Sequence, residues 1–264
     1  MPDEKTCVGV SVIMPAYNSE KTIGKAIESV LSQTHAKLEL IIVDDCSTDD
    51  TQKIAGQYAQ RDNRVHILRN ERNVGVAYSR NCGIQAAQYP WIAFLDSDDT
   101  WNLHKLEKQL FTVMETGASL CYTSYALVDE KGEKVRPDYV VPIRTDFNSL
   151  LKENIIGCST VLVSSQIMKA YHFQSDFYHE DYVLWLEILK AGYEAVGCPD
   201  ILTNWCYREN SKSYQKGRSF KYRWDIYRNC VGLPLSKSVY YIICYSVAGI
   251  RKYGRGSTWK KKPQ

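Results

Sequence analysis

None of the nine cysteines in this 264-residue chain stands in a CxxC pair, which removes the usual mark of a structural zinc site or a thioredoxin-like centre. Their odd number suits reduced thiols in a cytoplasmic protein better than a disulfide framework. No apolar h-region of the secretory kind follows the opening MPDEKT, so no secretory signal is expected. Low-complexity tracts and repeats of solenoid period are absent. The turns after the first strand-like segments hold neither GxGxxG nor a P-loop, which argues against dinucleotide oxidoreductases and P-loop kinases. What is there has the ordinary make-up of a soluble globular protein: 44% apolar, 24% charged, mean hydropathy −0.35. The length allows a sizeable core, as one large domain with an appendage.

Charge is divided unevenly. The net +3 combines fourteen Lys/Arg against two acids from Arg208 onward (+12) with nineteen bases against twenty-eight acids before it (−9). Such a basic tail is expected to meet something anionic.

Strand and helix signals alternate over the first hundred residues. Val10–Met14 reads as a strand stopped by Pro15. Ile23, Ala26, Ile27, Val30 and Leu31 then recur at helical spacing, with Ser19 as N-cap. Leu38–Val43 is a second strand closing at Asp44 and Asp45, and Ser47 or Thr48 suits the cap of the next helix. Val65–Leu68 and Trp91–Leu95 continue the strands, with a helix over Gly75–Gln88 between them. This order predicts an α/β fold, a Rossmann-like and mostly parallel central sheet flanked by helices. Ligands in such sheets sit beyond the carboxyl ends of the strands. There Pro15-Ala-Tyr-Asn18, Asp44-Asp45 and Asp96-Ser-Asp-Asp99 converge. After residue 100 the pattern loosens to a helix over Leu103–Met114, strands at Ser119–Tyr125 and Ser159–Ser164, and a helix over Asp181–Ala191. Residues 129–145 are polar and Pro-interrupted, a hairpin or mobile loop. This half is expected to shape the second-substrate site.

Asp96, Asp98 and Asp99 crowd the end of a buried strand. Three acids so close repel one another unless a divalent cation or a hydrogen-bond network neutralises them. Capping of the following helix explains a lone DxD about as well. Three acids delivered together favour Mg²⁺ or Mn²⁺, which takes one or two protein carboxylates and completes its shell with waters and substrate phosphates. Asp45 either accepts from a nucleobase N–H or merely begins a turn. Glu180 and Asp181 suit a helix N-terminus through the dipole alone. Among Phe177, Tyr178, Tyr182 and Trp185 the pair also suits a general base of raised pKa.

Five motifs occur in order: Val12-Ile-Met-Pro-Ala-Tyr-Asn18, Val43-Asp-Asp-Cys-Ser-Thr-Asp49, Asn73-Val-Gly75 with Ser79-Arg-Asn81, Phe94-Leu-Asp-Ser-Asp-Asp99, and Glu180-Asp181. Together, over roughly residues 8–210, they resemble the inverting family 2 glycosyltransferases of the GT-A fold, of the bacterial surface-polysaccharide type. The resemblance implies a UDP-sugar donor, a divalent metal (Mn²⁺ or Mg²⁺) and an acceptor saccharide on a polyprenyl diphosphate. By position it implies that Pro15, Tyr17 and Asp45 flank the uracil and that Arg80 lies near the nucleotide. Asp96 and Ser97 would lie near the ribose or donor sugar. Asp98 would be the metal-binding acid with Asp99 behind it, and Asp181, beside Glu180, the catalytic base. Tyr207-Arg208 with Ser211-Lys-Ser213 resembles a loop that folds over the donor diphosphate, which gives Arg208 a binding role. Processive members carry QxxRW; that string is missing here, so one hexose per acceptor is expected, glucose or galactose, in O-antigen or capsule synthesis. The expected division is a catalytic domain over 1–206, its nucleotide-binding half ending near 100, and a basic, aromatic helical segment over 207–264.

In that segment Ser238–Ile250 is a thirteen-residue uncharged stretch, short of the about 20 residues that span a bilayer. It predicts an interfacial helix held by basic and aromatic anchors, which the resemblance would put on the cytoplasmic face of the inner membrane, or else a helix packed on the catalytic domain. Nucleic acid is not an expected partner, although basic and aromatic residues together can bind a strand. Two rival functions stand beside the resemblance. A nucleotidylyltransferase needs a Gly-rich, basic phosphate loop after the first strand, and Pro15-Ala-Tyr-Asn-Ser19 is not one. A non-catalytic nucleotide-sugar-binding protein has no need of both Asp98 and Asp181.

Overall fold

The computed structural model describes residues 8–177, 179–207 and 216–254. At its centre β1 (Val10–Ala16) is buried at every residue and lies between β2 (Leu38–Asp44) and β4 (Trp91–Phe94), parallel to both. The third strand, β3 (Val65–Arg69), pairs outside β2 in the same direction. Strands covered on both faces read as continuous apolar runs, which is why these segments were legible. Side chains alternate along β1: Val10, Val12 and Met14 enter one core and Ile13 the other. The Val12 face is covered by α1 (Ile23–Leu31), α2 (Thr51–Arg61) and α4 (Lys105–Thr116). Across the sheet α3 (Val76–Ala86) packs on Ile13. It lies so close that a Cβ on Gly83 would come within 2.5 Å of Ile13 Cγ2, so the helix–strand approach requires glycine there.

The sheet continues with β5 (Thr100–Trp101), β6 (Leu120–Val128), β7 (Arg144–Thr145), β8 (Val161–Ser164) and β9 (Ala195–Cys206). Its order is β3-β2-β1-β4-β8-β6-β9-β5, with β7 on β9. Strand β8 runs antiparallel to β4 and β6, so the direction reverses beside β4. Helices α5 (Phe147–Lys152), α6 (Ser165–Ala170) and α7 (Glu180–Lys190) complete the Ile13 face, where Phe94, Phe173, Tyr182 and Trp185 fill the core.

Three loops at the carboxyl edge depart from the sequence expectation, for one reason. Pro15 does not stop β1, which runs on to Ala16 opposite Asp44. The Ile13 carbonyl accepts the Leu95 N–H, so Pro15 faces the same side, past the end of β4, and its missing N–H costs no ladder bond. Ser19, Ser47 and Thr48 do not cap helices: α1 begins after Thr22 and α2 after Asp50. Instead the Ser19 and Ser97 hydroxyls meet at 2.7 Å, Ser47 Oγ accepts the Asn18 N–H at 3.0 Å, and Asn18 Oδ1 accepts the Thr48 N–H at 2.9 Å. These groups lace together the loops that follow β1, β2 and β4. Asn18 and Cys46 hold left-handed backbones there, φ 47° and 62°, a conformation that is costly for cysteine.

The tail comprises α8 (Lys216–Asp225), a π-helical segment Ile226–Cys230 and α9 (Leu235–Gly254). Ile226, Tyr227, Tyr241 and Ile242 enter the same core as Trp185, and Tyr241 Oη donates to Asn148 Oδ1 of α5 at 3.1 Å. One face of α9 is therefore packed on the body of the fold. Its other face exposes Leu235, Val239, Tyr240, Ile243, Val247 and Ile250. Among the described residues no helix is long and apolar enough to cross a membrane.

Candidate active site

The carboxyl ends of β1, β2 and β4 open into one cleft of about 670 Å³. Pro15, Tyr17, Asp45, Arg80, Asp96, Ser97, Asp98, Glu180 and Asp181 all line it. Asp99 lies behind the wall, 1% exposed, and Arg208 falls outside the described residues.

The members of the acidic triplet have different surroundings. Asp96 Oδ1 accepts from Arg80 Nη2 at 2.7 Å. Asp99 accepts from Ser159 Oγ at 2.6 Å and from the Cys206 N–H at 2.8 Å, which ties the loop after β4 to β9. Burial, then the charges of Asp98 and Asp96, push the Asp99 carboxyl well above its usual range. Asp98 is half-buried in the cleft wall.

Arg80, carried by α3, forks between two acids, one of them a hundred residues further along the chain. Its Nη2 reaches Asp96 and its Nη1 reaches Glu180 Oε1, each at 2.7 Å. Burial works against its charge, yet the surrounding Asp96, Glu180 and Asp181 hold its pKa well above that of a free guanidinium. This clamp fixes the end of β4 to the first turn of α7. It also engages Glu180, and Asp181 then differs from its neighbour. Asp181 Oδ1 accepts the Tyr182 N–H at 2.8 Å. Burial, then the Glu180 charge, push the Asp181 carboxyl up to about 7 against the pull of Arg80. A carboxylate that titrates near neutrality and faces a cleft suits a general base.

Asp45 Oδ1 takes Asn70 Nδ2 at 2.8 Å and the Val74 N–H at 3.0 Å, while Oδ2 takes the Gly75 N–H at 2.8 Å. These bonds shape the turn into α3, where Gly75 at φ 93° needs its missing side chain. A carboxylate has about four lone-pair sites, so capacity remains toward the cleft. Tyr17, 48% exposed, stands at the rim.

Sequence reasoning missed part of the lining. Asn154, Trp205, Arg223, Tyr245, Ala248 and Gly249 also line the cleft. Arg223 is 3% exposed. It stands in a run of Lys, Arg and aromatics that reads as a solvated or membrane-facing surface, and no local pattern marks one of those bases as buried.

Residues 11–174 match the family model for glycosyl transferase family 2. The chain belongs to this family. Over 243 residues it is 36% identical to Bacillus subtilis TuaG, a glycosyltransferase named for teichuronic acid biosynthesis, covering 92% of this chain and 96% of that protein. Over 246 residues it is 37% identical to Escherichia coli WfgD, named UDP-Glc:alpha-D-GlcNAc-diphosphoundecaprenol beta-1,3-glucosyltransferase, covering 92% and 94%. Among solved structures, Staphylococcus aureus TarS 1-349 in complex with UDP-GlcNAc superposes with a TM-score of 0.71 at 20% identity, over 96% of this chain and 76% of that one. Against a longer TarS chain, this one spans 46% of the length. The α/β sheet described above is thus the GT-A arrangement of a glycosyltransferase.

The residues of this glycosyltransferase also bear on a metal. Among the described residues no group of three or more His, Cys, Asp or Glu gathers into a closed cage. Asp98 and Asp96 at the cleft wall present hard oxygen donors only. That set fits Mg²⁺ or Mn²⁺, which bind through one or two carboxylates and complete their shell from substrate phosphates, and does not fit softer metals.

Proposed function

We propose that the protein is an inverting, metal-dependent hexosyltransferase. It moves one sugar, glucose or galactose, from UDP to a saccharide on a polyprenyl diphosphate, in the synthesis of a bacterial surface polysaccharide such as an O-antigen or capsule. One observation carries this reading: Asp98 beyond β4 and Asp181 at the head of α7 border a single cleft. The name of WfgD supports a UDP-glucose donor and a GlcNAc-diphospholipid acceptor, and the TarS complex supports UDP.

In this reading Pro15 and the exposed ring of Tyr17 flank the uracil, Asp45 accepts its N–H, and Asp96 and Ser97 hold the ribose or donor sugar. Asp98 would hold Mg²⁺ or Mn²⁺, which when bound offsets the charge that grows on the departing diphosphate. Asp181 takes the proton of the acceptor hydroxyl as that oxygen attacks the anomeric carbon. The new C–O bond forms opposite the old one, whose electron pair leaves with UDP, so an α-linked donor gives a β-glycoside. Arg80 holds the two sides of the cleft together and neutralises Asp96 and Glu180.

The direct test incubates the protein and Mn²⁺ with UDP-Glc, UDP-Gal or UDP-GlcNAc and a GlcNAc-diphosphate alkyl acceptor. A β-linked disaccharide from UDP-Glc or UDP-Gal is expected. Release of diphosphate from UTP and a sugar 1-phosphate, with no transfer from any UDP-sugar, would instead establish a nucleotidylyltransferase.

The reading also places the protein on the cytoplasmic face of the membrane through α9. Its exposed apolar residues recur about every four positions, forming one stripe on a helix whose other face is packed. Such a helix lies in the interface and is strengthened by anionic lipid. In flotation with anionic liposomes the wild type is expected to rise with the lipid, and a variant with both Ile243→Glu and Val247→Glu to stay below. Equal flotation of the two proteins removes the stripe from membrane binding.

A further inference from the structure

We propose that Arg223 is a diphosphate-binding residue of the cleft and that the diphosphate it takes is the acceptor's. This deepens the hexosyltransferase reading and rests on it. Arg223 is delivered by α8, is 3% exposed, and lines the cleft. Its guanidinium lies 3.7 Å from the ring centroid of Tyr182 and 4.5 Å from that of Tyr245. Two tyrosine faces hold its plane and favour its charge, and Tyr182 is also a side-chain hydrogen-bond partner of the guanidinium. Nε and Nη1 are buried with no hydrogen-bond partner. Among the described residues no carboxylate pairs with Arg223, whereas Arg80, the other cleft arginine, has two. A buried cation with idle donors is unfavourable unless an anion meets it. The planar fork of a guanidinium matches phosphate oxygens.

Both substrates of the proposed reaction carry a diphosphate, and position favours the acceptor's. The donor wall is built from the ends of β1, β2 and β4. Arg223 comes from α8 instead and stacks on Tyr182, the residue that follows the proposed base. An acceptor hydroxyl must reach Asp181, and in an acceptor of one sugar the diphosphate is a single ring away. On the same cleft surface Asn154 Oδ1 is buried and unpartnered, which suits a sugar O–H or N–H. Ala248 and Gly249 bring the small-residue side of α9 to the cleft, and that helix also carries the exposed apolar stripe along which a lipid chain would leave.

The test compares wild type, Arg223→Met and Arg223→Lys on two acceptors. One is GlcNAc diphosphate bearing a short alkyl chain, the other the neutral GlcNAc glycoside of the same chain. Loss of a charge-assisted pair predicts a fall of about 10- to 100-fold in kcat/KM for Arg223→Met on the diphosphate acceptor. Activity on the neutral glycoside and the KM for the UDP-sugar should change little, and Arg223→Lys should recover part of the loss. Equal losses on both acceptors would make Arg223 merely structural and overturn the proposal. So would a rise confined to the donor KM, or no change at all. Calorimetry with the diphosphate acceptor and no donor reads the subsite without turnover. Wild type should bind and Arg223→Met should bind at least about tenfold more weakly. If wild type transfers no sugar yet shows this Arg223-dependent binding, the hexosyltransferase reading falls and the diphosphate site stands.

Discussion

Asp181→Asn is expected to lower turnover by about 10²- to 10⁴-fold, the range that a positioned base contributes, with UDP-sugar affinity unchanged. The amide keeps the shape of the side chain and cannot take a proton. Its neighbour cannot substitute, because Glu180 is held by Arg80 at 2.7 Å. The pH profile gives a second reading of the same group. Burial and the Glu180 charge raise Asp181 to about 7. Below that pH it is protonated and cannot accept the hydroxyl proton; above it, it is ionised and can. For wild type kcat/KM should therefore climb as pH rises through about 7 and level off beyond. The residual rate of Asp181→Asn should lack that limb. Turnover near wild type, or an unchanged limb in the variant, would move the base elsewhere.

Removal of the metal should be as damaging. EDTA is expected to take transfer to background and added Mn²⁺ to restore it. Asp98→Ala should lose at least about 10²- to 10³-fold in kcat, the scale of losing one stabiliser of transition-state charge. Asp98 is singled out because it lines the cleft, whereas Asp99 lies behind the wall and is held by Ser159 and the Cys206 backbone. Replacing Asp98 leaves the Asp99 ties to Ser159 and Cys206 in place, and a circular dichroism melt read beside the kinetics separates loss of turnover from loss of fold. Activity indifferent to chelation and to Mn²⁺ would refute the metal-dependent mechanism.

The nucleotide-binding half of the fold was legible because each parallel strand is an apolar run ending in a polar cluster. The second half was harder. Strand β9 contains Cys198-Pro-Asp200, and its pairing with β6 shifts register twice near Ser124, so neither alternation nor a clean apolar run marks it. The packed side of α9 was one of two readings open from the sequence. Tyr227, Tyr241 and Ile242 decide it by entering the core around Trp185, a contact that no helical period discloses.

By itself the sequence determined the α/β class and the cluster of acids at the strand ends, because strand, turn and motif are properties of neighbouring residues. It also nominated Asp98 and Asp181 through their motifs. Only the tertiary structure decided which acids are already engaged. The partners that settle this come from far along the chain: Arg80 to Glu180 across 100 residues, Asp99 to Cys206 across 107, Asp99 to Ser159 across 60. A carboxylate's chemistry follows from the charges and N–H groups around it, and in this protein folding alone brings those groups within reach.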